Sequence, residues 1–225
     1  GILPAPLRNP VLAAMEIATL GGLYPGRFVA GIGHGVQDWM RQVGAAVPSP
    51  LALLEETFAV VRRLLSGERV TLAGRAVSID DVALVHPPVL SVPLLAGVTG
   101  PKSLDLAGRI ADGVVLVEGS GASEIRDAIA RAANRTEPYE VVVLCHFFVS
   151  EDAQRVADAV DGVALGFFGG RERDFTIAAG NAVQSAGVVR SLWEAGATTV
   201  VLRPIGDLDA HFGNVMAALS AQKRA

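Results

Sequence analysis

The sequence predicts an α/β fold, a parallel β-sheet covered by helices, and within that class a (β/α)8 barrel that is N-terminally incomplete. Three observations carry this. Short apolar segments alternate with helical ones about six times along the chain, and that order builds parallel sheets. The strand segments are near-continuous apolar runs, as strands buried on both faces are. An eight-unit barrel uses roughly 30 residues per unit over ~250, whereas these 225 residues open on the tail of a strand and fall about two units short. The alternative is an open doubly wound sheet of six strands. The barrel reading makes residues 1–225 one domain holding strands 3 to 8, and it predicts a longer natural polypeptide.

Composition narrows the function classes. The chain is 51% hydrophobic and 19% charged, so it can bury a large core without a disulfide or metal. Its net charge of -4 gives no electrostatic reason to expect nucleic acid. The single cysteine, Cys145, cannot form an internal disulfide, which fits a reducing cytoplasm. The apolar runs are far shorter than the ~20 residues of a membrane helix, and no basic start leads into a signal-like segment.

Taken in order, Gly1-Ile2-Leu3 reads as the end of a strand. Asn9-Pro10 then marks a helix start, cap followed by proline. The helix Val11–Leu23 carries Leu12, Met15, Ile17, Ala18 and Leu20 at helical spacing, and Gly21-Gly22 with Pro25-Gly26 ends it. A strand over Arg27–Ile32 runs into Gly31-Ile32-Gly33-His34-Gly35. Ser49-Pro50 launches a helix, Leu51–Leu65, closed by Gly67. Arg69–Leu72 and Arg75–Ile79 flank Ala73-Gly74 as a hairpin. Val92–Ala96 is a strand, Pro101 starts a helix, Gly113–Val117 is a strand, and Ser123–Ala133 is a helix. Glu140–Val149 is a strand, with Ser150-Glu151-Asp152 capping the helix after it. Residues 161–183 read as loop with a helical turn or two. Gln184–Ala195 is helical, Thr198–Arg203 is the last strand, and Asp209–Ala221 is a terminal helix.

The stretch Gly26–Met40 concentrates the chemistry. Glycines at alternate positions after a strand allow close approach of a ligand or of another segment, and their spacing is not that of a dinucleotide fingerprint. His34 between them either faces a pocket, as a proton donor or hydrogen-bond partner, or is a loop histidine bonded to backbone. Trp39 and Met40 are either packing or lid residues or substrate contacts. The run Gly97-Val98-Thr99-Gly100-Pro101-Lys102 is a strand end, a glycine loop and a helix N-terminus. It is either a phosphate site with Lys102 as a point charge or simply a helix start. Arg203 ends the last strand before Pro204, where it meets an anion or makes a surface ion pair. His146 and Cys145 are neighbours on one strand and point to opposite faces; Cys145 reads as a buried small hydrophobe. His86 beside two prolines is structural, and Arg8 is near a mouth or solvated. No metal-ligand spacing stands out.

Four segments in this order resemble the luciferase-like monooxygenase superfamily, the bacterial-luciferase-type flavin and deazaflavin (coenzyme F420) oxidoreductases. They are Arg8-Asn9-Pro10 with Ile17-Ala18-Thr19-Leu20; Gly26-Arg27-Phe28 with Gly31-Ile32-Gly33-His34-Gly35; the helix around Glu55 closing on Leu65-Ser66-Gly67-Glu68; and Leu95–Lys102, with Ala107-Gly108 and Ala111-Asp112-Gly113 behind it. The resemblance implies a TIM barrel with the cofactor ring at the C-terminal ends of the strands. It implies a non-proline cis peptide near Gly1-Ile2, behind the ring, and so a cofactor role for Gly1 and Ile2. It also places Gly33 and His34 at the ring, and Gly97, Val98, Thr99, Gly100 and Lys102 at the cofactor phosphate. Asn9 departs from the family pattern, which often has histidine before that proline.

The expected activity is that of an oxidoreductase, or monooxygenase, using F420 or FMN on a small organic substrate, with His34 as catalytic candidate and Trp39 and Arg203 as substrate candidates. A homodimer is expected, with no nucleic-acid or membrane partner. The rivals are a non-catalytic flavin-binding relative and a barrel enzyme that binds substrate phosphate at Gly97–Lys102.

Overall fold

A computed structural model of the chain describes residues 1–133, 136–166 and 175–206. Packing divides it into two compact units: Gly1–Val115 with Arg131–Glu140, and Leu116–Ala130 with the residues from Val141 on.

The first unit opens with strand β1 (Ile2–Pro4) and one 3-10 turn, Ala5–Leu7. Helix α1 (Pro10–Leu23) starts where the sequence places it, because Asn9 Oδ1 accepts the Val11 N–H at 2.9 Å and proline at the first position has no N–H of its own to pair. Its buried face differs from the expected one. Ala13, Ala14, Ile17, Ala18 and Gly21 are buried, while Leu12, Met15 and Leu20 are exposed. The helix is apolar nearly all round, so spacing alone does not choose a face; small residues choose it by letting neighbours come close. At Gly21 a Cβ would lie 2.6 Å from Val92 Cγ2.

Strand β2 (Ala30–Gly33) begins later than Arg27 because its first ladder bond is Ala30 N–H to Pro93 O. A short helix not expected from the sequence, α2 (Gln37–Gln42), follows. Helix α3 (Pro50–Leu65) buries Leu54, Phe58, Val61 and Leu64 and packs on α1. Ser49 precedes it without a side-chain cap bond. The expected hairpin forms as β3 (Val70–Ala73) and β4 (Ser78–Val82), antiparallel. Strand β5 (Leu94–Gly97), helix α4 (Pro101–Ile110) and strand β6 (Gly113–Leu116) complete the unit. Its strands run parallel in the order β1-β2-β5-β6.

The second unit contains most of helix α5 (Ala122–Arg131) and is built on β7 (Glu140–Val149), a ten-residue strand. The helix α6 (Ala153–Gly166) is capped by Asp152, whose Oδ1 accepts the Gln154 N–H at 2.9 Å. The short strand β8 (Ala178–Gly180) pairs parallel with Phe147–Val149. Of the segment 161–183, expected as loop with a helical turn or two, residues 161–166 are helical as the end of α6. Residues 167–174 lie outside the described residues, and the strand β8 is the correction. Three small residues carry no strand period, and only their pairing to β7 makes them a strand. Helix α7 (Ala182–Glu194) begins two residues before the expected Gln184, on a reciprocal capping box between Asn181 and Gln184. Strand β9 (Thr199–Pro204) pairs parallel with Val142–Phe147. The expected terminal helix Asp209–Ala221 lies outside the described residues.

Candidate functional site

In the first unit β1, β2 and β5 end level, with Pro4 beside Gly33 and Gly33 beside Gly97. The residues that follow, His34 and Val98, leave the sheet at the same edge. The glycines just before them have a chain-internal reason. A Cβ at Gly33 would sit 2.6 Å from Gly97 O and 3.0 Å from Ile2 Cγ2, and one at Gly97 would sit 2.5 Å from Ile2 Cδ1. At Gly31 it would meet Gly1 O at 3.1 Å. The close approach these glycines permit is that of β1 and the half-buried Ile2 side chain. Every peptide bond among the described residues is trans, so the cis linkage implied near Gly1-Ile2 is not found there.

His34 is half-buried, and both ring nitrogens have partners in the chain. Nδ1 lies 2.9 Å from Gly35 O and Nε2 3.2 Å from Ser103 Oγ. A carbonyl only accepts, so Nδ1 carries the proton in that bond. Gln37 Nε2 donates to His34 O at 3.1 Å and to Gly35 O at 3.2 Å, which fixes the turn into α2. Gly35 has φ +74, and a Cβ there would meet Met40 Sδ at 2.9 Å. Met40 is therefore the packing residue of its pair, and Trp39 is 61% exposed.

From Gly97 the chain passes through buried Val98 and exposed Thr99 to Gly100, the N-cap of α4. Gly100 supplies no side-chain cap. A Cβ on it would meet only Ser103 Oγ, at 3.8 Å, so there is room in front of the helix start. Pro101 has no N–H, and Lys102 and Ser103 contribute first-turn N–H groups. The Lys102 side chain is exposed and Ser103 is 8% exposed. The glycines and acid behind this loop are structural. At Gly108 a Cβ would lie 2.6 Å from Arg131 O. Asp112 Oδ2 accepts the Leu94 N–H at 2.8 Å, and its Oδ1 accepts from Arg62 at 3.0 Å.

In the second unit Arg203 finds its anion within the chain: its guanidinium donates to Glu118 Oε1 at 2.6 Å. The Glu118 side chain is 7% exposed and that of Arg203 56%. His146 is buried. Burial holds its imidazole below the usual histidine range, the Glu118 carboxylate opposes this and Arg203 adds to it. Burial likewise pushes the Cys145 thiol up, the backbone near Ala178 opposing. Ser103 and Glu118, the side-chain partners of His34 and Arg203, are polar residues that sequence reasoning missed. Each had only a faint signal, a polar residue shortly after an apolar strand. His86 is exposed, and Arg8 pairs with Glu16 at 3.4 Å beside a cleft of about 370 Å³. That cleft lies between the Ala5–Pro10 segment and the hairpin, and none of the expected cofactor residues lines it.

The chain is 34% identical to an F420-dependent glucose-6-phosphate dehydrogenase of Nakamurella multipartita over 158 residues, 65% of this chain and 46% of that protein. It spans between a third and a half of the length of the curated relatives it matches. Among solved structures it is similar to an F420-dependent secondary alcohol dehydrogenase in complex with an F420-acetone adduct, with TM-score 0.76, 22% identity, and 94% of this chain and 74% of that one covered. A monooxygenase from Streptomyces bottropensis is similar at TM-score 0.76 and 18% identity, covering 100% of this chain and 77% of that one. These likenesses give the fold, that of the luciferase-like TIM barrels. The family model of the luciferase-like monooxygenases matches residues 1–203. With the strand-end glycines, the His34 turn and the glycine loop before α4 in place, the chain belongs to the luciferase-like monooxygenase family.

Proposed function

We propose that the chain is an oxidoreductase that uses coenzyme F420 to transfer a hydride to or from a small organic substrate. The observation that carries this is the shared edge of β2 and β5, where His34, the half-buried Ile2 face and the open start of α4 come from neighbouring strands. The donor set suits a phosphate-bearing cofactor: the loop Gly97, Val98, Thr99 and Gly100 leads to first-turn N–H groups, with Lys102 beside them. Ile2, backed by Gly1 and seated on Gly33, supplies an apolar surface for a ring. His34 is the polar group next to it. Trp39, 61% exposed, is the substrate candidate of the first unit; Arg203, in the second unit, holds Glu118 and keeps exposed guanidinium that can meet an anion. Bound cofactor carries the hydride, and the chain binds, orients and excludes water. The F420-dependent relatives support this cofactor. Reduced FMN with oxygen activation is the second reading, supported by the likeness to a monooxygenase.

Titration of the protein with F420 and with FMN, followed by fluorescence, tests the assignment. Saturable binding of F420 with reduction by alcohol or sugar-phosphate donors is expected. Binding of neither overturns it, and binding without turnover, with oxygen also inert, makes the chain a non-catalytic flavin binder. The protein acts as a cytoplasmic homodimer in this reading. The exposed apolar residues Leu12, Met15 and Leu23 on α1 support a second copy, and the buried lone cysteine supports a reducing compartment. Light scattering of the Met15→Lys variant is expected to show a monomer.

A further inference from the structure

His34 and Ser103 stand 69 residues apart in sequence and 3.2 Å apart in space. The cause is the pairing of β2 with β5: His34 is the first residue after β2, and Ser103 is the third residue of the helix that follows β5. Ser103 is almost fully buried, so its hydroxyl gains little from water. The other face of the imidazole is already committed, Nδ1 to the Gly35 carbonyl, and Gln37 braces that same carbonyl. A histidine's tautomer is set by the partner of its second nitrogen, and here the Gly35 carbonyl sets it, because a carbonyl accepts and cannot donate. Gly35 O requires a proton on Nδ1, and the Ser103 hydroxyl, which can donate or accept, then donates to Nε2.

We infer that Ser103 is a positioning residue: with His34 held as the Nδ1–H tautomer by Gly35 O, its hydroxyl donates to Nε2 and keeps that lone pair turned toward the start of α4. The consequence for chemistry rests on the proposed cofactor role of this strand edge; the tautomer does not. Neutral His34 then offers a base, not a proton, on that side, which reverses the proton-donor role that the sequence allowed. A ligand bonded to Ser103 Oγ gives its proton to Oγ as the hydroxyl proton passes to Nε2. The resulting imidazolium keeps Nδ1–H on Gly35 O and donates Nε2–H to Ser103.

The test is nitrogen NMR of the protein labelled at histidine, at a pH where the imidazoles are neutral, with His34 identified by its loss in His34→Gln. Only four histidines need separating. The wild type is expected to show a protonated Nδ1 and an unprotonated Nε2. In Ser103→Ala the Nε2 signal is expected to shift to that of a nitrogen without a hydrogen-bond donor while Nδ1 stays protonated on Gly35 O, and Ser103→Thr restores the wild-type pattern. Amide spectra of the variants confirm that they fold. An Nε2–H wild type, or a Ser103→Ala spectrum identical to it, overturns the inference. Adding F420 then tests the other reading separately: shifts of the His34 ring signals support a cofactor edge, and their absence overturns that role while the tautomer result stands on its own.

Discussion

At Gly33 the added methyl of an alanine meets a backbone carbonyl, Gly97 O at 2.6 Å, which cannot swing aside. Gly33→Ala is therefore expected to lower stability by about 1–3 kcal/mol, the range for overpacking, measured by urea unfolding. At Gly100 the backbone is extended and the space open, so Gly100→Ala is expected to unfold within about 1 kcal/mol of wild type. The contrast separates a glycine needed by the chain from one that is not. Cys145, buried and with its thiol pushed up, is expected to react with a thiol reagent only after unfolding; labelling of the native protein would contradict its assigned burial. His34 was visible in the sequence because glycines surround it. Its partner was not, since a hydroxyl 69 positions away becomes a neighbour only through strand pairing.

Among the elements, the hairpin depends on α3 through one carboxylate. Glu56 accepts the N–H groups of Arg75 at 2.8 Å, Ala76 at 2.8 Å and Val77 at 2.7 Å. Burial pushes its carboxyl up, but these three donors, with the Arg75 charge, outweigh it and leave the group below the usual carboxylate range. Glu56→Gln keeps the shape and loses the charge-assisted bonds. A loss of about 1 kcal/mol is expected, at the low end because the site is partly solvated, with faster amide exchange confined to the β3–β4 turn. Gly74 leaves room for that carboxylate, since a Cβ there would collide with it. The hairpin itself was legible from the two short segments that flank Ala73-Gly74, whereas the latch joins residues about 20 apart and has no local pattern. The Asn181–Gln184 box did have one, an Asn followed three positions later by Gln. It lay inside a segment whose glycines and phenylalanines masked it.

For the molecule as a whole, the depressed titrations of His146 and Glu56 predict two separate pH windows. His146 has a folded-state pKa below its unfolded one, so the unfolded chain takes up the proton first. Its contribution is complete above about pH 6.5 and is lost as pH falls from there toward the depressed value. Glu56 is also depressed, so its contribution is complete above about pH 4.3 and is lost only as pH falls below that. Amide exchange between pH 7.5 and 5.5 is expected to show β7 and β9 loosening while the hairpin stays protected, with His146→Phe removing the dependence. By itself the sequence determined the order and type of most elements and the family. Apolar runs, a proline-led cap and turn glycines act over a few residues and leave local marks. Only the tertiary structure decided which face of α1 is buried, that Ala178–Gly180 is a strand, that Ile2 occupies the glycine face, and that His34 and Arg203 answer to Ser103 and Glu118. Each of these joins segments distant in the chain, through strand pairing or packing, and no local pattern encodes such a meeting.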